Sequence, residues 1–492
     1  MRSALKNQRA NLATIAALAM FSRGLEPEFP PPVLQQLAHI PLAPLEATTG
    51  IVDLSDLPWF SIDNDDSHDL DQLTVSASLP NGVVRVSVAI ADVDALVAKG
   101  TPIDQHARHN TTSVYTSARI FPMLPELLCT NLTSLNPDVN RLAIINQMDF
   151  SADGVLLGST IFRATVRNKA QLAYDAVSAW LEGPEALPAA AQRVPAVASL
   201  LRQQDALAQK LRLLRHTQGA LEFEGFQPHA LFHGDRITDI RLQPHNRARQ
   251  LIEEFMIATN ECMADYLAAQ GGASLRRVVR SPERWARIIE VAQGYGATLP
   301  ALPDGKALQT FLARQHQRDP LHFPDLSLII VKLMGSGEYV VEKQHGAPIG
   351  HFGLAVQDYM HSTAPNRRFP DLITLRLVKA ALAGIPAPYS DAELAELAAH
   401  CTAQEDAARK VERQVRKSEA ALLLHSSVGQ HYSGIVTGVN SQGAWVRILA
   451  PPAEGRLTGA LPELKMGQTI RVQLVSTSVE RGFIDFAVAH AM

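Results

Sequence analysis

Cysteine is scarce in this chain: three residues in 492, at Cys129, Cys262 and Cys401. They form no CxxC pair and are odd in number, which argues against both a disulfide framework and a zinc site. That usage leads us to expect a reducing, cytoplasmic setting. Aromatic residues make up only 6% of the chain, and neither sign of charge dominates, since 45 Lys and Arg against 49 Asp and Glu leave a net charge of −4. No global basic field announces a nucleic acid, so such a partner would have to be met by a local groove. Long apolar runs are also missing: none approaches the roughly 18 residues that span a bilayer, and no membrane partner is expected. The run Leu12–Phe21 behind Arg2, Lys6 and Arg9 imitates a secretory leader only superficially. Walker loops, HExxH and nucleophile elbows do not occur, and Gly335-Ser336-Gly337 lacks the third glycine of a dinucleotide loop.

At 46% hydrophobic residues the chain can bury a large core, in more than one domain. Residues 1–57 read as a small helical module that turns Pro-rich at Phe29-Pro30-Pro31-Pro32, Pro41 and Pro44, like a linker. Strands follow. Val83–Ile90 is apolar and β-branched enough for a buried strand, and Leu142–Phe150 and Leu156–Val166 flank the turn Ser151-Ala152-Asp153-Gly154. Helical spacing returns at Val197–Leu214, where Arg202, Lys210, Arg212 and Arg215 read as a solvated face. A second helix is predicted over Arg249–Ala269, with Glu253 and Glu254 in its first turns, where the helix dipole favours acids. Capping boxes at Ser390–Glu393 and Thr402–Glu405 predict two successive helices, and 428–492 alternates short β-rich runs with glycine, as in a small Greek-key barrel.

Two stretches carry chemistry. In Ser61–Leu73, Asp63, Asp65, Asp66, Asp69 and Asp71 crowd into the connection between two predicted strands. Carboxylates this close raise one another's pKa unless something positive neutralises them, and hard oxygen ligands suit Mg²⁺, Mn²⁺ or Ca²⁺. An EF-hand is excluded because His68 and Thr74 stand where it needs Gly and Glu; a solvated acidic turn is the plain alternative. In His351–Leu372, Arg367 and Arg368 sit on a Pro-bounded turn before Asp371. Adjacent arginines there suit forked contacts with phosphate, and an ion pair with Asp371 is the competing reading.

These stretches lie within a longer ordered pattern: Ser61-Ile62-Asp63 through Asp69-Leu70-Asp71-Gln72, Ile90-Ala91-Asp92-Val93, Thr112–Tyr115, Pro122–Leu128, Ser134–Pro137, the run to Phe223, Leu251–Met256, and His351–Leu372. In that order, over about 60 to 420, they resemble the ribonuclease II (RNB) family of exoribonucleases. The tail, with Gly434, Gly443 and Trp445, is similar to the S-one type RNA-binding domain. The resemblance implies an α+β fold in three parts: the helical module at 1–57, an RNB catalytic domain of mixed sheet and helices at 58–427, and an OB-fold β-barrel at 428–492.

The implied activity is processive, Mg²⁺-dependent 3′→5′ hydrolysis of single-stranded RNA to nucleoside 5′-monophosphates, with Mn²⁺ as a further metal. Asp69 and Asp71, two apart on extended chain, point the same way, and Asp63 can close on them, so these three are the expected metal ligands, with Asp71 also catalytic. Asp65 and Asp66, outside the matched positions, are bystanders or substitutes for the carboxylate missing at position 72. Arg367 and Arg368 are expected to stabilise charge at phosphorus. Tyr115, Tyr174 and Phe223 match family aromatics that stack on bases, and Glu253, Glu254 and Trp445 complete the RNA-contacting set. One departure matters. Gln72 stands where the family has a further carboxylate; an amide oxygen ligates a hard cation without adding charge, so a weaker metal site is expected. The alternative is an RNA-binding protein whose RNB domain is weakened or inactive for that reason. No protein partner is evident, and a monomer is expected.

Overall fold

In Val84–Ala91, Val86, Val88 and Ile90 alternate with Ser87 and Ala89, and all five are buried. A strand with two buried faces belongs in the middle of a sheet. In the computed structural model, which describes residues 7–42, 50–223, 228–242, 246–320, 322–342, 349–440, 443–459 and 461–489, this strand does take the central place. Its sheet comprises β1 (Val52–Asp53), β2 (Phe60–Asp63), β3 (Gln72–Ser78), β4 (Val84–Ala91), β5 (Asn140–Phe150), β6 (Leu156–Arg167) and β7 (Ala170–Ala173). The spatial order is β1-β6-β5-β4-β3-β2-β7. The pairs β1/β6 and β2/β7 are parallel and the rest antiparallel. The β5–β6 turn needs Gly154, whose φ is +87° and where a Cβ would stand 3.0 Å from the Lys210 side chain.

Helices cover the sheet. α1 (Gln8–Phe21) lies apart from it and buries Leu12, Ala16, Ala19 and Met20, the last three in a cluster with Ala408, Val411 and Val415. α2 (Val197–Gln218) lies on β3, where Thr74 Oγ1 donates to Gln204 at 3.0 Å and Ser76 Oγ to Gln203 at 2.7 Å. Its charges are a solvated face only in part: Arg202 and Lys210 are exposed, whereas Arg212 and Arg215 are half-buried. Arg215 Nε donates to Glu254 at 2.8 Å, Arg212 pairs with Glu222, Lys210 reaches the Ala152 carbonyl at 2.6 Å and Arg202 stacks on Trp180. Basic residues are used here as ties because neighbouring elements bring acids and carbonyls that the sequence does not place.

α3 (Arg247–Ala269) starts earlier than expected. The Asn246 side chain caps it by accepting from the Arg249 amide at 2.9 Å, so Glu253 and Glu254 fall in its second turn. α4 (Phe323–Met334) and α5 (Phe369–Ala383) follow. The two helices predicted after Tyr389 are one, α6, which runs unbroken over Asp391–Leu424. Ser390 does cap, accepting from the Glu393 amide at 3.2 Å. Thr402 instead donates back to the Ala398 carbonyl at 2.9 Å and accepts the Tyr339 amide at 2.8 Å, a mid-helix pattern with no cap in it. The Pro-rich approach is not all linker either, since Pro31–Leu37 is helical with Pro31 in its first position and Val33 buried. Pro44 lies outside the described residues.

The C-terminal strands β8 (His431–Asn440), β9 (Gly443–Ile448), β10 (Ala453–Thr458), β11 (Thr469–Ser478) and β12 (Phe483–Val488) close into a five-stranded barrel, in the order β8-β9-β10-β12-β11. The expected α+β class and terminal barrel are therefore what forms. Among the described residues no helix is long and apolar enough to cross a membrane.

Candidate active site

β2 ends at Asp63 and β3 begins at Gln72, so the acidic stretch is the loop that joins two adjacent strands. Its shape is fixed locally and from below. Asp63 Oδ1 accepts from the Asn64 amide at 2.7 Å and the Ser67 hydroxyl at 2.8 Å, folding the first half into a turn. In the second half, Ser134 Oγ accepts from the Leu70 amide at 2.9 Å and donates to the His68 carbonyl at 2.7 Å, while the Leu135 amide reaches Leu70 O at 3.0 Å. Asn168 Nδ2 completes the brace on Ser61 Oγ and Leu135 O. Bound on both sides, the loop cannot relax to separate its charges.

Asp71 is the buried member, only 2% exposed. Its Oδ1 accepts the Asn366 amide at 3.0 Å, and its Oδ2 accepts Arg367 Nε at 3.0 Å. The turn that offers these donors is held by the Arg367 and Arg368 amides on Ala364 O, and by the neighbouring chain, where the Ser113 amide bonds Arg367 O at 3.0 Å and the Phe369 amide bonds Thr111 O at 2.7 Å. The same neighbouring chain carries Tyr115, whose hydroxyl donates to Asp69 Oδ2 at 3.0 Å while its ring stays partly open to solvent. Burial pushes the Asp71 carboxyl up to about 7, against the pull of Arg367 and with a push from Asp69. Burial also raises Asp63. The site thus holds more buried negative charge than its one guanidinium offsets.

Residues 51–384 match the RNB domain model, and 430–489 match that of the RNase II-type exonuclease C-terminal S1 domain. The chain belongs to the RNB family. It is 30% identical to Ribonuclease R 1 of Lactococcus lactis over 93% of this chain and 59% of that relative, and 32% identical to Ribonuclease R of Escherichia coli over 85% and 52%. It therefore spans little more than half the length of these relatives. The RNase R of Mycoplasma genitalium, solved in an apo form and in complex with ribose-methylated single-stranded RNA, has the same fold. The apo form superposes with a TM-score of 0.87 at 23% identity, covering 96% of this chain and 77% of that one.

Within this RNB domain the other expected site residues divide. Tyr174 follows β7 directly, and β7 pairs with β2 so that Ala173 stands opposite Asp63. The Arg249 guanidinium lies 4.4 Å from the Tyr174 ring centroid and donates to Asn64 Oδ1 at 2.6 Å, which ties that aromatic to the acidic loop. Arg249 was not anticipated, because no local pattern joins it to residue 174. Arg368 does not share Arg367's partner: its Nη2 donates to the buried Asp371 at 2.7 Å, the ion-pair reading. Glu254 is buried on Arg215, whereas Glu253 is exposed. Phe223 packs against the cluster around Trp285 and Phe311, and Trp445 lies on the outer face of the barrel, opposite the inward Ala444 and Val446. Neither belongs to the Asp71 group. Gln72 is buried, and the alternation of β3 places it on the face of Thr74 and Ser76, opposite Leu73.

Among the described residues no three His, Cys, Asp or Glu side chains stand close enough to share an ion. Arg367 instead lies against Asp71, where a cation would be welcome. The donor chemistry nevertheless fits a hard divalent ion: all oxygens, with two carboxyls held above their usual range by burial and by the neighbouring Asp69.

Proposed function

We propose that this RNB protein is a processive 3′→5′ exoribonuclease that hydrolyses single-stranded RNA to nucleoside 5′-monophosphates. It would do so as a monomer in the cytoplasm, divided into a leading module at 1–57, a catalytic domain at 58–427 and an RNA-binding barrel at 428–492. The observation that carries this reading is the contact of Asp71 with Arg367 and the Asn366 amide, across almost 300 residues of sequence, at the end of the acidic loop. The three free, buried thiols accord with a reducing compartment.

Asp63, Asp69 and Asp71 would hold a divalent cation, Mg²⁺ or Mn²⁺, which when bound supplies charge neutralisation and an activated water. Arg367 spends one N–H on Asp71 and keeps the rest of its fork for phosphoryl oxygens, where charge develops in the transition state. Tyr115 and Tyr174 offer rings on two sides of the loop; stacking suits an enzyme blind to sequence, because every base has a π-face. A second reading, an RNA-binding protein with a weakened site, is favoured by one residue, Gln72.

The two part in one assay. 5′-labelled single-stranded RNA with Mg²⁺ or Mn²⁺ should release monophosphates, and EDTA or Asp71→Asn should abolish release. Release that survives either control sinks the metal mechanism. RNA bound but uncut under every metal selects the second reading.

A further inference from the structure

A cavity of about 660 Å³ opens beside the acidic loop, its walls including Asn64, Asp65, Lys169, Gln171 and Arg193. None of them belongs to the Asp71 group. We propose that this cavity is a binding site for a nucleoside 5′-monophosphate, and that it receives the product released at the acidic loop; the inference rests on the exonuclease reading and deepens it.

The size is that of a small-molecule site, ample for one nucleotide. The lining has the three chemistries that a nucleotide presents. Lys169 and Arg193 make no ion pair among the described residues, whereas Arg85, Arg163, Arg215 and Arg376 are matched to carboxylates. Two unmatched cations in one cavity suit a phosphate dianion. Asp56, Asp65 and Asp138, also in the wall, are acceptors for the vicinal hydroxyls of a ribose. Asn64 and Gln171 supply amides for a base edge.

The wall is also wired to the catalytic loop. Gln171 Nε2 donates to the Ser67 carbonyl at 3.3 Å, and Asn64 accepts from Arg249, which lies on Tyr174. Asn64 is the residue after Asp63, so a mononucleotide leaving the loop has this cavity as its neighbour. A processive enzyme must clear a product at every step, and a separate site lets it do so without releasing the chain.

The test uses 5′-AMP and the full-length chain. Calorimetric titration of 5′-AMP into RNA-free protein in EDTA should show binding that Lys169→Met/Arg193→Met weakens at least tenfold, with each single variant intermediate. Added 5′-AMP should inhibit RNA turnover by the wild type, with an inhibition constant that rises by the same factor in the double variant, while single-turnover cleavage stays unchanged. A wild type that does not bind 5′-AMP overturns the site, and so do variants that melt like the wild type and bind it equally well. If the protein binds 5′-AMP through these residues yet cleaves no RNA, the exonuclease reading fails and the site stands. If it cleaves RNA without such binding, the reverse holds.

Discussion

At the scale of single residues, Asp71 is caught between burial, which favours its neutral form, and Arg367, which favours its charge. That balance gives weight to the neighbouring position, because a carboxylate there would add attraction for the cation that Asp63, Asp69 and Asp71 are proposed to hold. Gln72→Asp should therefore lower the Mg²⁺ concentration for half-maximal activity several-fold, and a titration curve that does not move removes position 72 from the ligand set. For Tyr115, the hydroxyl bond to Asp69 and the ring are separable. Tyr115→Phe should cost about 1 kcal/mol or less and leave the end product alone, whereas Tyr115→Ala should lengthen the shortest undigested RNA; an unchanged end product returns Tyr115 to a packing role. The acids and the arginines stand out in the sequence as a crowded acidic run and an adjacent pair, each with a plain structural alternative, and the tyrosines are marked only by the family resemblance. Their pairing was not legible. Nothing local says that Arg367 takes Asp71 while its neighbour Arg368 takes Asp371; that assignment comes from the Pro365–Arg368 turn, which directs one guanidinium to the loop and the other to the start of α5.

Among the elements, α6 shows why a correct local pattern can give a wrong boundary. Thr402-Ala403-Gln404-Glu405 has the composition of a capping box, but Cys401, Ala408, Val411 and Val415 continue the apolar stripe of Leu394 and Leu397 through it. Burial of that stripe, against α1 among others, outweighs the roughly 1 kcal/mol that a cap provides. Further along the same helix, Glu419 is 2% exposed, its Oε1 has no partner, and burial raises its carboxyl to about 7, partly offset by Ser117. The sign follows from linkage. The folded state holds this proton more tightly than the unfolded chain, so the stability it contributes is greatest below about 4.5 and is lost as pH rises through about 7. Glu419→Gln, which cannot ionise, should be more stable than the wild type at pH 8, by on the order of 2 kcal/mol, with the gap closing toward pH 5. Melting curves across that range check it, and a gap independent of pH rules out the ionisation of Glu419 as its cause.

On the scale of the whole molecule, the barrel was legible as a barrel from its glycines and short β-rich runs, but its seat was not, because the contacts that dock it come from elements far away in sequence. One apolar cluster joins Val446, Leu457 and Phe486 of the barrel to Ala421 and Leu424 of α6 and to Ile237 and Ile240 of the 228–242 hairpin, and the Ile237 amide in turn bonds Gln8 of α1 at 2.9 Å. Beside it, Arg447 of β9 pairs with Asp325 of α4, both side chains nearly fully buried, and Lys332 reaches Glu454 at 3.0 Å on a more exposed edge. A buried pair adds little net stability compared with apolar packing, but removing Asp325 takes a buried acid from Arg447, which Glu454 still attracts, so the loss should fall at or below the about 3–5 kcal/mol of a fully uncompensated buried charge. Asp325→Leu should therefore loosen the barrel from the body, lowering the melting temperature and exposing the 425–430 junction to protease. Adding Arg447→Met should recover most of that loss, whereas Glu454→Gln, at a half-buried carboxylate that also accepts from Thr437, should cost less than Asp325→Leu. Because the cost lies in desolvated charge, the Asp325→Leu defect should persist at high salt, where the edge pair is screened. If Asp325→Leu melts and resists protease as the wild type does, the apolar cluster alone seats the barrel and the ion pair is incidental to it.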